Sequence, residues 1–277
     1  MQATRIDLED YVLSGGGANG ESYFKKNDPS VLLKLYFPGK ETQPLDELLL
    51  SRKVFEAGIP VPEPGKYVVT GDGRYGILFK RIHGKVSYTS AVGNNPGKVR
   101  EYAYEFAAMC RKLHATKVDT AVFESVKDRY LGILKGNVFF TDAQKEKIGE
   151  FIIKAPDADT AIHGDLQFGN AIFTEDRQYF IDLGDFCYGH PYFDLGMVYL
   201  TCKLGDEEFT SEVFHMDKGT AARFWDAFAK GYFGEDVPLV EIENEILPYA
   251  GLKTLIIERD TGYPFPRYRK VLEQTIL

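Results

Sequence analysis

Short β-prone runs, some alternating apolar with polar positions, fill roughly the first eighty residues, and helical periodicity takes over after His83-Gly84. Strands are predicted at 10–14, 21–26, 31–37, 66–70 and 75–81, with Asn27-Asp28-Pro29-Ser30 as a turn and Gly71-Asp72-Gly73 joining the last two. One helix interrupts them at 42–57, taking apolar contacts from Leu45, Leu48, Leu49 and Phe55 and stopping at Gly58. The run Ile59-Pro60-Val61-Pro62-Glu63-Pro64 must be extended, because a residue before proline avoids the helical region.

Beyond residue 84, Asn95-Pro96 predicts a helix start, and Val99, Ala103, Phe106, Cys110 and Leu113 mark one buried face running to Ala115. Thr141-Asp142-Ala143-Gln144 reads as a capping box for a helix to about residue 154. Residues 195–204, 219–233 and 240–257 also read as helical, around a β-like island at 161–182. The fold class is therefore α+β, in two parts: residues 1–83 as antiparallel sheet with one helix, and 84–277 as a mainly helical part.

Composition narrows the classes. The chain has 277 residues, 44 % of them hydrophobic, which excludes intrinsic disorder and supplies a sizeable core. Its net charge of −8 argues against a partner held through phosphate neutralisation, so no nucleic acid is expected. The charge is uneven: 14 Lys/Arg against 11 Asp/Glu in residues 1–100, 10 against 16 in 101–200, and 9 against 14 in 201–277. Cys110, Cys187 and Cys202 have no C-x-x-C spacing, which argues against a disulfide framework or structural zinc. There is no signal-peptide core and no membrane-length apolar run, so a cytoplasmic protein without membrane partners is expected.

Three segments carry candidate chemistry. Gly15-Gly16-Gly17-Ala18-Asn19-Gly20 satisfies G-x-G-x-x-G, but a dinucleotide site needs a helix directly after the glycines, and here a strand follows. A glycine-rich hairpin can instead fold over nucleotide phosphates, because its N–H groups approach without side chains in the way. Lys34 lies inside the apolar run Val31-Leu32-Leu33-Lys34-Leu35-Tyr36. Either it is buried and needs a carboxylate such as Glu47, or it points to solvent from an amphipathic strand. The third segment is His163-Gly164-Asp165-Leu166-Gln167-Phe168-Gly169-Asn170, with Asp182 twelve residues further on. Asp165 can accept a hydroxyl proton, and Asn170 and Asp182 offer the hard oxygen ligands that Mg²⁺ takes.

On these motifs the chain resembles the aminoglycoside phosphotransferase and choline kinase group of small-molecule kinases, relatives of the protein kinases. His163 to Asn170 is similar to the catalytic loop, Asp182-Leu183-Gly184 to the D-F-G metal site, Lys34 to the strand lysine and residues 15–20 to the nucleotide loop. Glu47, with Glu41 as the alternative, matches the helix glutamate, and Ile59-Pro60-Val61-Pro62 the stretch after that helix. The resemblance spans about residues 10–200 and implies a bilobal protein-kinase-like fold. It also implies ATP, with GTP as the alternative, and Mg²⁺ as cofactors. Gly15, Gly17, Gly20, Lys34 and Glu47 would bind the nucleotide, the adenine meeting a hinge at 78–82 that includes Phe79 and Arg81. Asn170 and Asp182 would hold the metal, Asp165 would be the base, and His163 and Asp194 would support the loop.

The departures point to the acceptor. Gly164 replaces the arginine with which many protein kinases read a phosphorylated activation loop. Nine residues separate Gly184 from Asp194, and no A-P-E motif follows. A small-molecule hydroxyl is expected as acceptor, and the acidic remainder of the chain favours a cationic one, with Glu207, Glu208, Glu258 and Asp260 as candidates to face it. The competing readings are a pseudokinase-like nucleotide-binding module and, third, a protein kinase. Of the remaining residues, His114 is read as packing or capping, and Phe224, Trp225 and Phe228 as a core stripe.

Overall fold

The β-prone opening becomes one six-stranded sheet: Thr4–Arg5 (β1), Tyr11–Gly16 (β2), Gly20–Lys25 (β3), Asp28–Tyr36 (β4), Pro64–Val69 (β5) and Tyr75–Lys80 (β6). The strand order is β1-β5-β6-β4-β3-β2, with β1 and β5 parallel and the other pairs antiparallel. The computed structural model describes residues 1–17 and 19–277, so Ala18 of the glycine-rich loop lies outside the described residues. The chain after β3 reverses at Lys26-Asn27 rather than across 27–30, and β4 already begins at Asp28. The cause is local: the Asp28 carboxylate accepts from the Ser30 backbone and hydroxyl and so organises the strand's start.

Helix Gln43–Glu56 (α1) follows β4, with proline in its first turn and Gly58 at φ 77° beyond its end. Its buried stripe is Pro44, Leu48, Ser51 and Val54, whereas Leu49 and Phe55 are exposed, contrary to the sequence expectation. Alternation along β4 separates two cores. Leu33 and Leu35 join Tyr11, Tyr23 and Val68 on one face, and Tyr36 joins Leu48 of α1, Tyr67 and Ile77 on the other.

The remaining elements in chain order are Val86–Ser87 (β7), Tyr88–Asn94 (α2), Val99–Ala115 (α3), Val126–Gly136 (α4), Asp142–Lys154 (α5), Ala161–Ile162 (β8), Ala171–Phe173 (β9), Gln178–Phe180 (β10) and Cys187–Tyr188 (β11). Then come Tyr192–Tyr199 (α6), Glu207–Phe214 (α7), Lys218–Phe233 (α8), Leu239–Thr261 (α9) and Pro266–Thr275 (α10). A π turn at Leu200–Leu204 continues α6. The Thr141–Gln144 capping box forms as expected. Asn95 makes no side-chain cap: α2, a short turn at Pro96–Lys98 and α3 succeed one another there. Helices α2, α4, α7 and α10 were not anticipated.

Two compact units result, one of Met1–Val86 with Ile172–Gly184, the other of Ser87–Ala171 with Asp185–Leu277. In the first, the 172–184 segment is tied back by Phe180 N–H donating to the Pro60 carbonyl at 2.9 Å. In the second, α3 packs on α8 through Phe106, Phe224 and Phe228, and Phe168 enters the same aromatic cluster 4.9 Å from Phe224. Trp225 is fully buried beside them. All three cysteines are buried and free. Among the described residues no helix is long and apolar enough to cross a membrane.

Candidate active site

In the first unit, alternation along β4 puts Lys34 on the face that α1 covers, not on a solvent face. Its Nζ lies 2.8 and 2.9 Å from the two Glu47 oxygens and 2.7 Å from Asp182 Oδ1. Glu41, the other acidic candidate, instead accepts from the Gly39 N–H, 3.1 Å away. Glu47 also accepts a short hydrogen bond from the Tyr36 hydroxyl, two positions along the same strand face. Burial would lower the Lys34 pKa, but the charges of Asp182 and Glu47 outweigh it and hold the ammonium protonated well above its ordinary range. Asp182 itself has φ 58°, a left-handed conformation that costs most L-residues about 1–2 kcal/mol and that aspartate tolerates better.

The glycines of the loop differ in what requires them. Gly20 is a packing glycine: it pairs with Tyr36, and a Cβ there would sit 2.2 Å from the Leu35 carbonyl oxygen. At Gly15 and Gly17 a Cβ would meet nothing within 4 Å, and neither has a positive φ. Packing therefore does not demand glycine at these two positions. Gly17 N–H closes the hairpin onto the Gly20 carbonyl at 2.9 Å. Phe79, the next-to-last residue of β6, pairs with Leu32 and Pro64, and the Arg81 guanidinium stacks 3.5 Å from the Phe24 ring centre. The N–H groups of Lys80 and Arg81 donate to Glu63 and Ser30 carbonyls, so this stretch has two of its donors already engaged.

In the second unit, the 163–170 loop follows β8. The Asn170 amide nitrogen donates to the Asp165 carbonyl and to Asp165 Oδ2, both at 2.9 Å. Both bonds hold the Asp165 carboxylate and backbone against the Asn170 amide. Phe168 anchors the loop's middle in the aromatic core. Gly164 is required twice over: φ is 86°, and a Cβ would lie 2.1 Å from the Asp185 carbonyl oxygen. No arginine fits at this position.

Beneath the loop, fully buried Asp194 accepts from His163 N–H at 2.7 Å, Gly164 N–H at 2.8 Å and His114 Nε2 at 3.1 Å. Burial pushes the Asp194 carboxyl up, but the His114 hydrogen bond and the nearness of His114, His163 and Lys253 outweigh it and leave it below its ordinary value. His114 in turn bonds the Tyr232 hydroxyl at 2.8 Å. Lys253, buried on α9, donates to the Gly164 carbonyl at 2.8 Å. Sequence reading missed Tyr232 and Lys253 as parts of this assembly. Lys253 carried the signal that singled out Lys34, a lone cation in an apolar run, here Tyr249-Ala250-Gly251-Leu252-Lys253-Thr254-Leu255. Glu258, a sequence candidate to face a cationic acceptor, is instead bonded to Arg269, Asn137 and the Phe265 N–H.

A family model described as the phosphotransferase enzyme family, APH, matches residues 12–229. No curated protein sequence matches the chain. Among solved structures, a thermostable mutant of aminoglycoside phosphotransferase APH(4)-Ia is similar at a TM-score of 0.64 and 12 % identity, over 96 % of this chain and 94 % of its own. Choline kinase LicA from Streptococcus pneumoniae is similar at 0.54 and 14 % identity, over 95 % and 92 %. Amicoumacin kinase hAmiN, in complex with AMP-PNP, Ca²⁺ and Ami, is similar at 0.56 and 15 % identity, over 97 % and 89 %. At these identities the likeness is one of fold, and it agrees with the α+β protein-kinase-like class.

Proposed function

The chain belongs to the phosphotransferase enzyme family, and from that premise we propose that it is an ATP- and Mg²⁺-dependent kinase of a small-molecule hydroxyl, with Asp165 as base. The observation that carries this reading is Lys34, an ammonium held 2.8 Å from Glu47 and 2.7 Å from Asp182. Such a fixed cation is suited to grip the α- and β-phosphates, with Gly15, Gly17 and Gly20 in the loop over them and the 78–82 stretch, Phe79 and Arg81 included, at the adenine. Asp165 takes the acceptor proton as the new O–P bond forms. The bond between the γ-phosphorus and the β,γ-bridging oxygen breaks, and ADP leaves.

The donor set fits Mg²⁺, which keeps few protein ligands and completes its octahedron with phosphate oxygens and water. Asn170 and Asp182 are the proposed ligands. When bound, the ion supplies charge neutralisation on the phosphates. The neighbour bound to AMP-PNP and Ca²⁺ supports nucleotide and divalent-cation use. GTP is the alternative nucleotide.

A small acceptor is favoured by the steric exclusion of any side chain at Gly164 and by the nine residues between Gly184 and Asp194. The acid excess beyond residue 100 favours a cationic one. A cytoplasmic location, where ATP is abundant, belongs to the same proposal. The test is ADP release from MgATP over a panel of aminoglycosides, choline-like amines, sugars and amino alcohols. Asp165→Asn is expected to abolish transfer while nucleotide still binds. Transfer at the wild-type rate in that variant would overturn the assignment of the base. Mg-independent ATP binding with no transfer to any acceptor would make the chain a nucleotide-binding module instead.

A further inference from the structure

Lys253 is a buried cation to which the proposed reaction assigns no part. The residue is 2 % exposed on α9, and its Nζ donates at 2.8 Å to the carbonyl of Gly164, the residue directly before Asp165. From the other polar side, Asp194 on α6 takes the N–H groups of His163 and Gly164. The backbone leading into Asp165 is thus gripped by two buried side chains of opposite charge. Their helices are packed tightly, since a Cβ at Gly196 of α6 would lie 2.7 Å from the Tyr249 carbonyl carbon of α9.

Burying an ammonium is costly, and an apolar side chain of similar length is often as stable or more so in such a place. Burial would lower the Lys253 pKa, and neighbouring Tyr130, Asp194 and Asp165 outweigh it and keep the group charged. The Nζ also lies 5.7 Å from the centre of the Tyr130 ring. A charge retained at this cost, with its hydrogen bond on the peptide of the proposed base, has a task other than packing.

We propose, resting on the kinase reading above, that Lys253 is a positioning residue. Its ammonium fixes the Gly164–Asp165 peptide and so sets the direction in which the Asp165 carboxylate meets the acceptor hydroxyl.

Three measurements test this. In the wild-type chain, amide exchange over residues 161–170 should be as slow as in α6 and α9; exchange at the rate of an exposed loop overturns the proposal. In folded Lys253→Met, MgATP turnover, read as ADP release with the acceptor panel and with water, should lose about tenfold or more in kcat. Its KM for MgATP should stay within about twofold. Wild-type kcat overturns the proposal; should the methionine variant not fold, Lys253→Gln takes its place with the same expectation. In Lys253→Ala, n-propylamine should restore turnover and n-propanol should not, and equal rescue by the alcohol overturns the role of the charge. If the wild type transfers no phosphoryl group to any acceptor or to water, the kinase reading fails by itself. Exchange then decides: faster exchange over 163–165 in Lys253→Met supports the positioning role, and unchanged exchange overturns it.

Discussion

Asp194 Oδ1 receives the Gly164 N–H at 2.8 Å across thirty positions of sequence. The same carboxylate takes the His163 N–H and His114 Nε2. One buried side chain thereby satisfies three donors beneath the loop that carries Asp165.

Removing it should be severe. Asp194→Ala leaves those donors buried without an acceptor and is expected to lose about 3–5 kcal/mol, measured by urea unfolding. Asp194→Asn, which keeps one acceptor oxygen, should lose less. The folded-state pKa of Asp194 lies below its ordinary 3.8, so its contribution is present above that value and is lost as pH falls through the lower one. Stability should fall with acid below about pH 4 less steeply in Asp194→Asn than in the wild type.

Glu47 decides how Lys34 is held. Glu47→Gln is expected to raise KM for MgATP by about tenfold, equivalent to about 1.4 kcal/mol. Tyr36→Phe, which removes only the hydroxyl on Glu47, should cost about 1 kcal/mol of stability and leave KM nearly unchanged. Lys34 is held protonated above its ordinary 10.5, so the pH–rate profile should show no limb from its deprotonation below that value.

The glycines should separate by experiment. Gly164→Ala meets both a left-handed backbone and the Asp185 carbonyl, and is expected to lose at least about 2 kcal/mol in denaturant unfolding. Gly15→Ala and Gly17→Ala enter open space and should stay within about 0.5 kcal/mol of wild type. Their effect belongs in nucleotide affinity, measured by calorimetry.

Arg269 on α10 grips Glu258 of α9 through Nε at 2.5 Å and Nη2 at 2.9 Å, and the Glu258 side chain is fully buried. Arg269→Ala strands that carboxylate and is expected to destabilise by about 3–5 kcal/mol. The double variant Arg269→Ala with Glu258→Gln should recover part of the loss, because the buried charge is gone.

Sequence by itself determined the strand-rich opening, the buried face of α3, the capping box at Thr141 and the residue types of the candidate site. These are local facts: side-chain periodicity and hydrogen bonds three or four residues apart are written in neighbouring positions. Tertiary structure decided what local patterns leave open. Lys34 in an apolar strand could have faced water or a partner; the packing of α1 over one face of β4 chose the partner and put Glu47 there. Glu258 read as a candidate to face a cationic acceptor and proved a buried anchor, because only the arrival of α10 brings Arg269 to it. Lys253 reaches the Gly164 carbonyl across 89 positions. Burial of a charge depends on which distant segment covers it, and no periodicity along the chain encodes that.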